Sequence, residues 1–252
     1  MKYKNEFEFK VYGEYALFSD PITRVGGEKA TLSVPTFAAL IGIVKNIYWK
    51  PTLLYVVDEV KVLKPIRTVS KGVRPIKYSG GNDLSMYTYL HDVAYAVRGH
   101  FVWNENHPEL AQDRNEDKHY QILQRMIKIG GRRDIYLGTR ECQGYVEPCK
   151  FDEEVSFYKD SGDISFGLSY HSIIYADEAV NEEDKGQMTV CFHTPVMKNG
   201  VIKFIKPEEC TIKRHIRKTE IKVFGKNKCT TAEELYEEVK DIELDECFKS
   251  NL

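Results

Sequence analysis

Between Thr36 and Pro51, apolar side chains fall at Phe37, Leu40, Ile41, Val44, Ile47 and Tyr48, the i, i+3, i+4, i+7 spacing of a helix with one buried stripe. The flanking stretches follow another period. EFEFKVY (6–12) puts Phe7, Phe9 and Val11 on one face, while LLYVVDEVKVL (53–63) and YLHDVAYAVRGHFVW (89–103) are rich in β-branched and aromatic residues. A second amphipathic segment spans 114–129, with Ile122, Leu123, Met126 and Ile129 on its apolar side and Gly130-Gly131 closing it. DIYLGTRECQGYV (134–146) then reads as a strand. The order β-α-β-β-α-β is that of a ferredoxin-like (RRM-like) unit, whose two helices cover one face of a sheet.

From about residue 150 the pattern is strands alone. SFYKDSGDISFGLSY is one hairpin candidate, and FHTPVMKNGVIKFI a stronger one through its Asn199-Gly200 turn. TTAEELYEEVKDIELDE carries a capping-box pattern at Thr230 and Glu233. The expected class is α+β: a ferredoxin-like domain over 1–149, an antiparallel β region over 150–228 and an acidic helix or tail over 229–252.

The chain has 252 residues, 42% hydrophobic and 29% charged, an ordinary globular make-up with enough length for a large core. MKYKNEFEFKVYGEY lacks the apolar run of a signal peptide, and no stretch approaches a membrane span. Six cysteines without a CxxC suggest neither a disulfide framework nor a zinc site, and the seven histidines form no HxxxH or HExxH. A reduced, cytoplasmic protein without metal or other cofactor and without membrane contact is expected. There is no GxSxG and no P-loop.

The net charge of −2 hides a basic block, with fourteen Lys and Arg against eight Asp and Glu between residues 61 and 140. Lys61, Lys64, Arg67, Lys71, Arg74 and Lys77 run without an intervening acid. Two readings fit: a solvated face, or a stripe that tracks phosphates by releasing counterions. Gly26-Gly27, between Arg24 and Lys29, lets backbone approach a ligand closely. GGRRD (130–134) sets Arg132 and Arg133 beside two glycines, as a phosphate clamp or as a basic helix end suited to the dipole. RGHFVW (98–103) reads as core strand rather than a base-stacking platform.

DRNEDKHY (113–120) places Lys118 and His119 in the first turn of the second helix, where the dipole disfavours cations by about 0.3–1 kcal/mol. In a ferredoxin-like unit the helices run antiparallel, so the end of the first, with Tyr48, meets the start of the second. A helix N-terminus receives anions. A cation and two proton-exchanging groups added there suit metal-free RNA cleavage, in which a ribose 2′-OH attacks the adjacent phosphate. Core packing explains Tyr48 equally well, since it extends the apolar stripe, and His119 shares a face with Leu123 and Met126.

GEYALFSDPITRVGGEK, SVPT (33–36), IYWKPT (47–52), GVRPI (72–76), DRNEDKHY and GGRRDIYLGTRECQGYV together resemble the CRISPR-associated protein of the Dvulg subtype, the RAMP-superfamily endoribonuclease of type I-C systems. The likeness is dense to about residue 149 and loosens beyond it. It implies a ferredoxin-like domain followed by antiparallel β structure, and metal-independent cleavage of repeat hairpins in precursor CRISPR RNA. It also implies retention of the 5′ handle within the interference (Cascade) complex, with crRNA and the other type I-C subunits as partners. The family's catalytic tyrosine, lysine and histidine fall on Tyr48, Lys118 and His119. RNA contacts are expected at Arg24, Gly26, Gly27, Lys29, Arg67, Lys71, Arg74, Arg132 and Arg133. The rival reading is a non-catalytic crRNA-binding scaffold subunit; accessory contact with double-stranded DNA fits either.

Overall fold

The structure, a computed structural model, describes residues 5–221. The expected acidic helix at 229–252, with Thr230 and Glu233, lies outside the described residues. So do Cys229 and Cys247.

The described chain is mixed α and β, with two α-helices among mostly antiparallel strands. β1 (Glu6–Ala16) is followed by a 3₁₀ turn (Thr23–Gly26), β2 (Lys29–Ala30), α1 (Phe37–Ile47), β3 (Leu53–Val62), β4 (Thr68–Val73) and β5 (Ser85–Trp103). Next come a 3₁₀ turn (Pro108–Asp113), α2 (Glu116–Lys128), β6 (Ile135–Tyr136) and β7 (Gln143–Glu147). The later strands are β8 (Asp163–Ser165), β9 (Ser169–Ile174), β10 (Gln187–His193), β11 (Val196–Lys198), β12 (Val201–Lys203) and β13 (Ile212–Lys218). One sheet has the order β6-β7-β1-β5-β3-β12-β11-β8, with β2 and β4 also paired to β5; β13-β10-β9 form a second.

Alternation decides the large sheet's buried face. Phe7, Phe9 and Val11 of β1 point into a core shared with Phe37, Leu40, Ile43, Val44 and Ile47 of α1 and Leu123 and Ile127 of α2. β5 is the spine: His100 to Leu90 pairs with β1 on one side, and Trp103 to Tyr95 with β3 on the other. At Asp92 the backbone turns left-handed (φ 55°), a conformation Asp tolerates better than most residues. There β3 ends and β4 takes over as β5's partner.

Several elements differ from the sequence expectation. β1 runs to Ala16, and β4 pairs within the basic run that the sequence left unassigned. The expected strand over 134–146 is broken into β6 and β7 by a turn in which Gly138 (φ 97°) lies against Leu17, where a Cβ would come within 2.0 Å of its carbonyl oxygen. SFYKDSGDISFGLSY is not a hairpin: β8 pairs with β11 and β9 with β10, in different sheets. Strands after residue 150 thus extend the first sheet as well as building the second. The Asn199-Gly200 hairpin does form between β11 and β12, both turn residues having positive φ (47° and 85°). On α2 the buried column is His119, Leu123 and Ile127; Ile129 is exposed because the helix has already ended there. No described helix is long and apolar enough to cross a membrane.

Gly99 sits where β1, β5 and β3 meet, and a Cβ there would lie 2.2 Å from the Val56 carbonyl oxygen and 2.7 Å from the Phe7 ring. Gly99→Ala should destabilise the protein by about 1–3 kcal/mol, the usual cost of overpacking, read as a lowered midpoint in denaturant unfolding.

Candidate active site

Thr36 caps α1, its Oγ1 accepting from the Ala39 N–H at 3.2 Å. At the other end Tyr48 leaves the helix in extended conformation (φ −155°, ψ 127°), ahead of a Lys50-Pro51 step that disfavours further helix. Its N–H still donates to the Val44 carbonyl at 2.9 Å. The last carbonyls of α1 are satisfied by the GGRRD loop: Arg132 N–H donates to Ile47 and Arg133 N–H to Asn46, each at 3.1 Å. That loop is shaped by the end of α2, where the N–H groups of Gly130 and Gly131 donate to Ile127 and Met126, a Schellman closure requiring the positive φ of Gly130 (88°). Two helix ends are therefore locked together beside Tyr48.

α2 begins at Asn115, whose side chain accepts from the Lys118 N–H at 2.9 Å. One face of the helix then carries His119 into the core, above Leu123 and Ile127. The imidazole is fully buried and Tyr48 is 2% exposed; the Tyr48 hydroxyl lies 2.9 Å from His119 Nδ1. Nε2 lies 2.8 Å from the Asp113 backbone carbonyl, which also accepts from the Asn115 N–H. A carbonyl only accepts, so Nε2 carries the proton. Nδ1 then accepts from the Tyr48 hydroxyl, and the ring is the neutral tautomer. Trp103 meets it edge-on at 5.8 Å.

Asp113 organises the polar side of this pair. Its carboxylate accepts from Lys118 Nζ and, at 2.9 Å, from the buried Thr52 hydroxyl. Burial opposes the charge, but these two bonds and the Lys118 charge outweigh it and hold the carboxyl below its ordinary value. Burial likewise lowers the pKa of His119, partly offset by Asp113 and reinforced by Lys118 and Lys50. Tyr48 is pushed up to about 12 by burial and the Asp113 charge, with Arg132 acting the other way. At neutral pH the centre holds a protonated phenol, a neutral imidazole, a carboxylate and an ammonium. It can pass a proton from Tyr48 to Nδ1 when the phenol receives one from outside, and it can set a positive charge at a helix N-terminus.

The expected convergence of Tyr48, Lys118 and His119 is therefore present, with one correction. Both lie beside the Asp113 carboxylate, whose Oδ2 is 3.4 Å from His119 Nε2, but adjacent helical positions diverge: Lys118 is exposed to solvent, whereas the His119 ring is buried in the core. The cost expected for cations at this helix end is relieved because His119 is neutral and Lys118 is paired. Thr52 and Trp103 went unassigned in the sequence. Asp113 opens the DRNEDKHY stretch, but nothing local joins it to Thr52.

The remaining candidates divide into two groups. Arg132 and Arg133 are exposed beside the end of α1. Lys29 and Lys71 lie opposite Tyr87 on either side of β5, the former 4.9 Å above the Tyr87 ring, and Gly26-Gly27 with Arg24 form the turn leading to β2. The Lys61–Lys77 run is mostly a solvated face, with Lys64, Arg67, Lys71, Arg74 and Lys77 exposed and Lys61 half-buried. Lys61 donates to the Phe151 and Glu154 carbonyls, Lys64 pairs with Asp92, Lys77 with Asp83, and Lys71 lies over the Tyr15 ring. Arg67 and Arg74 have no ion pair among the described residues.

The family model described as CRISPR-associated protein (Cas_Cas5) matches residues 7–205, a span that includes every residue of this centre. The chain is 29% identical over 199 residues to a protein named CRISPR pre-crRNA endoribonuclease Cas5d from Thermus thermophilus, covering 74% of this chain and 78% of that one. It is 30% identical over 149 residues to the protein of the same name from Mannheimia succiniciproducens, covering 50% and 64%. Among solved structures, a CRISPR-associated protein superposes with a TM-score of 0.71 at 39% identity, covering 84% of this chain and 97% of that one. A functionally uncharacterized protein from Streptococcus mutans does so with a TM-score of 0.69, at the same identity and coverage.

His119 should titrate at lower pH than an ordinary imidazole, because burial disfavours its charged form; ring-proton NMR against pH reads this directly. Because its folded value is the depressed one, its contribution to stability is complete above about pH 6.5 and is lost as the pH falls through the folded value. A His119→Gln variant should therefore lose stability less steeply in acid.

Proposed function

The chain belongs to the CRISPR-associated Cas_Cas5 family, and from that membership we propose that it is an endoribonuclease that cleaves repeat hairpins in precursor CRISPR RNA. In this reading it cuts without metal and stays on the 5′ handle of its product as a subunit of a type I-C interference complex in the cytoplasm. The observation that carries the chemistry is the 2.9 Å contact between the Tyr48 hydroxyl and a neutral His119, beside Lys118 at the start of α2.

The 2′-OH attacks the adjacent phosphorus, the bond to the 5′-oxygen breaks, and the products are a 2′,3′-cyclic phosphate and a 5′-hydroxyl. Tyr48 and His119 act as one relay: the phenol takes the 2′-OH proton while handing its own to Nδ1. Lys118 turns from Asp113 to the phosphate, stabilising its developing charge and supplying a proton toward the leaving oxygen. Arg132 and Arg133, at the joined helix ends, hold flanking phosphates. Arg24, the Gly26-Gly27 turn, Lys29, Arg67, Lys71 and Arg74 form a second RNA-contacting group around β5.

The strand order β7-β1-β5-β3, with α1 and α2 in the two crossovers, supports reading residues 1–149 as a ferredoxin-like domain that carries the centre, with 150–228 as an appended β region. The burial of His119 is the observation that favours the second reading, a crRNA-binding scaffold subunit that does not cut. Contact with double-stranded DNA through the exposed arginines of the Lys61–Lys77 run is compatible with either.

Incubating the protein with its own repeat RNA should give one defined cut that persists in EDTA. Lys118→Ala or His119→Ala should slow it by about 10²-fold or more. Hairpin binding should stay within a few-fold of wild type; normal cleavage by both variants would overturn the assignment. A single 2′-deoxy substitution at the cut nucleotide should abolish the reaction, and continued cutting there would exclude 2′-OH attack.

A further inference from the structure

We propose that the outer edge of the second sheet, formed by Arg214, Arg217 and Lys218 of β13, binds the phosphate backbone of the paired stem of the processed RNA. This rests on the reading of the protein as a hairpin-RNA nuclease and assigns that reading a second contact surface, outside the Tyr48/His119 centre. The three strands SYHSII, QMTVCFH and IKRHIRK contain no acidic residue, in a chain with 38 of them; they carry four Lys and Arg and three His. The four Lys and Arg all lie on β13, the edge strand.

That strand is not consumed by the fold. β13 pairs with β10 on one side alone among the described residues, and Arg214 through Lys218 are exposed. Its half-buried Lys213 is neutralised by the buried Asp184, at 3.2 Å, and His215 is held by the Thr189 hydroxyl at 2.9 Å. Arg214, Arg217 and Lys218 have no ion pair among the described residues. The nearby acids Glu182, Glu183, Glu208 and Glu209 lie in the connections rather than on the strands, and the exposed Glu220 follows the end of β13 by two residues. An extra residue, Ile216, bulges between the pairs at His215 and Arg217, which sharpens the local twist and fans the cations apart.

Spacing and composition select the partner. Arg214 to Lys218 spans roughly 13 Å of strand, enough for two or three successive phosphates of one nucleic-acid strand. β13 holds no Phe, Tyr or Trp on which unpaired bases would stack, so it suits backbone contact with a duplex better than capture of a single strand. Charged residues on an edge strand also prevent edge-to-edge pairing, a purely protective role that any charge fulfils. The test must therefore reverse the sign and keep the charge.

The full chain carrying R214E, R217E and K218E together is compared with wild type for binding a synthetic RNA stem–loop, its DNA counterpart and a stemless single-stranded RNA, across a salt series. The expected result is at least a tenfold loss for the RNA stem–loop at about 0.15 M salt. The slope of log affinity against log salt should flatten by about 2–3, with a smaller loss for the single strand and an unchanged melting temperature. An unchanged slope for the RNA stem–loop overturns the proposal in favour of edge protection. A loss confined to DNA overturns it in favour of a DNA contact. R214Q, R217Q and K218Q together should reproduce the loss if the reversed charges perturb folding; normal RNA binding by a folded form of that variant also overturns it. His119→Ala should leave the slope unchanged, so a failure of the catalytic assignment is read separately.

Discussion

Everything that positions the polar centre hangs on β5. Its nineteen residues pair with β1 from Leu90 to His100, with β3 from Tyr95 to Trp103, and with β4 and β2 toward the N-terminal end, so four strands take their register from one. The close approach at Gly99 leaves little slack in that register: β1 and β3 crowd the same point from opposite sides. The strand ends at Trp103, whose ring contacts His119, so the spine of the sheet also forms part of the centre's wall.

The Tyr48–His119 contact is a consequence of how two helices finish and begin. α1 ends without a C-terminal glycine of its own, and its last carbonyls are taken by the backbone of Arg132 and Arg133. Those N–H groups are delivered by the double-glycine closure of α2, so the end of the second helix caps the end of the first. The start of α2 is fixed independently by Asn115 and by the Asp113 carbonyl. A hydrogen-bonded pair 71 residues apart in sequence is thereby held at 2.9 Å by backbone geometry rather than by its own strength. Burial then sets the charge states. It raises the phenol and lowers the imidazole, giving a pair poised to move a proton without either partner being ionised at rest.

Legibility in the sequence followed the range of the interaction. The stripe on α1, the Gly130-Gly131 stop and the Asn199-Gly200 turn are local and were readable, since each is decided by residues within one or two turns of chain. β4 and β13 were missed because both are polar and mostly exposed; their strand character comes from the neighbour they pair with, not from an apolar period. The stretch over 156–170 reads as a hairpin because its two β-prone runs flank glycines, yet each finds a better partner elsewhere. The same limit applied at the site: Lys118 and His119 were visible as a misfit at a helix start, whereas the partners that resolve it, Asp113 with Thr52, are joined only in space.

The sequence alone determined that two amphipathic helices must cover a β-rich core, and that Tyr48 and the Lys118-His119 pair sit at helix ends which that order brings together. Side-chain periodicity and capping chemistry are short-ranged, so they can be read along the chain. Tertiary structure decided which way each of those side chains points, that His119 is buried and neutral while Lys118 answers Asp113, and that the acid-free strands form a sheet with its cations along one edge. Those outcomes depend on desolvation and on strand partners distant in sequence, and neither is encoded at any single position.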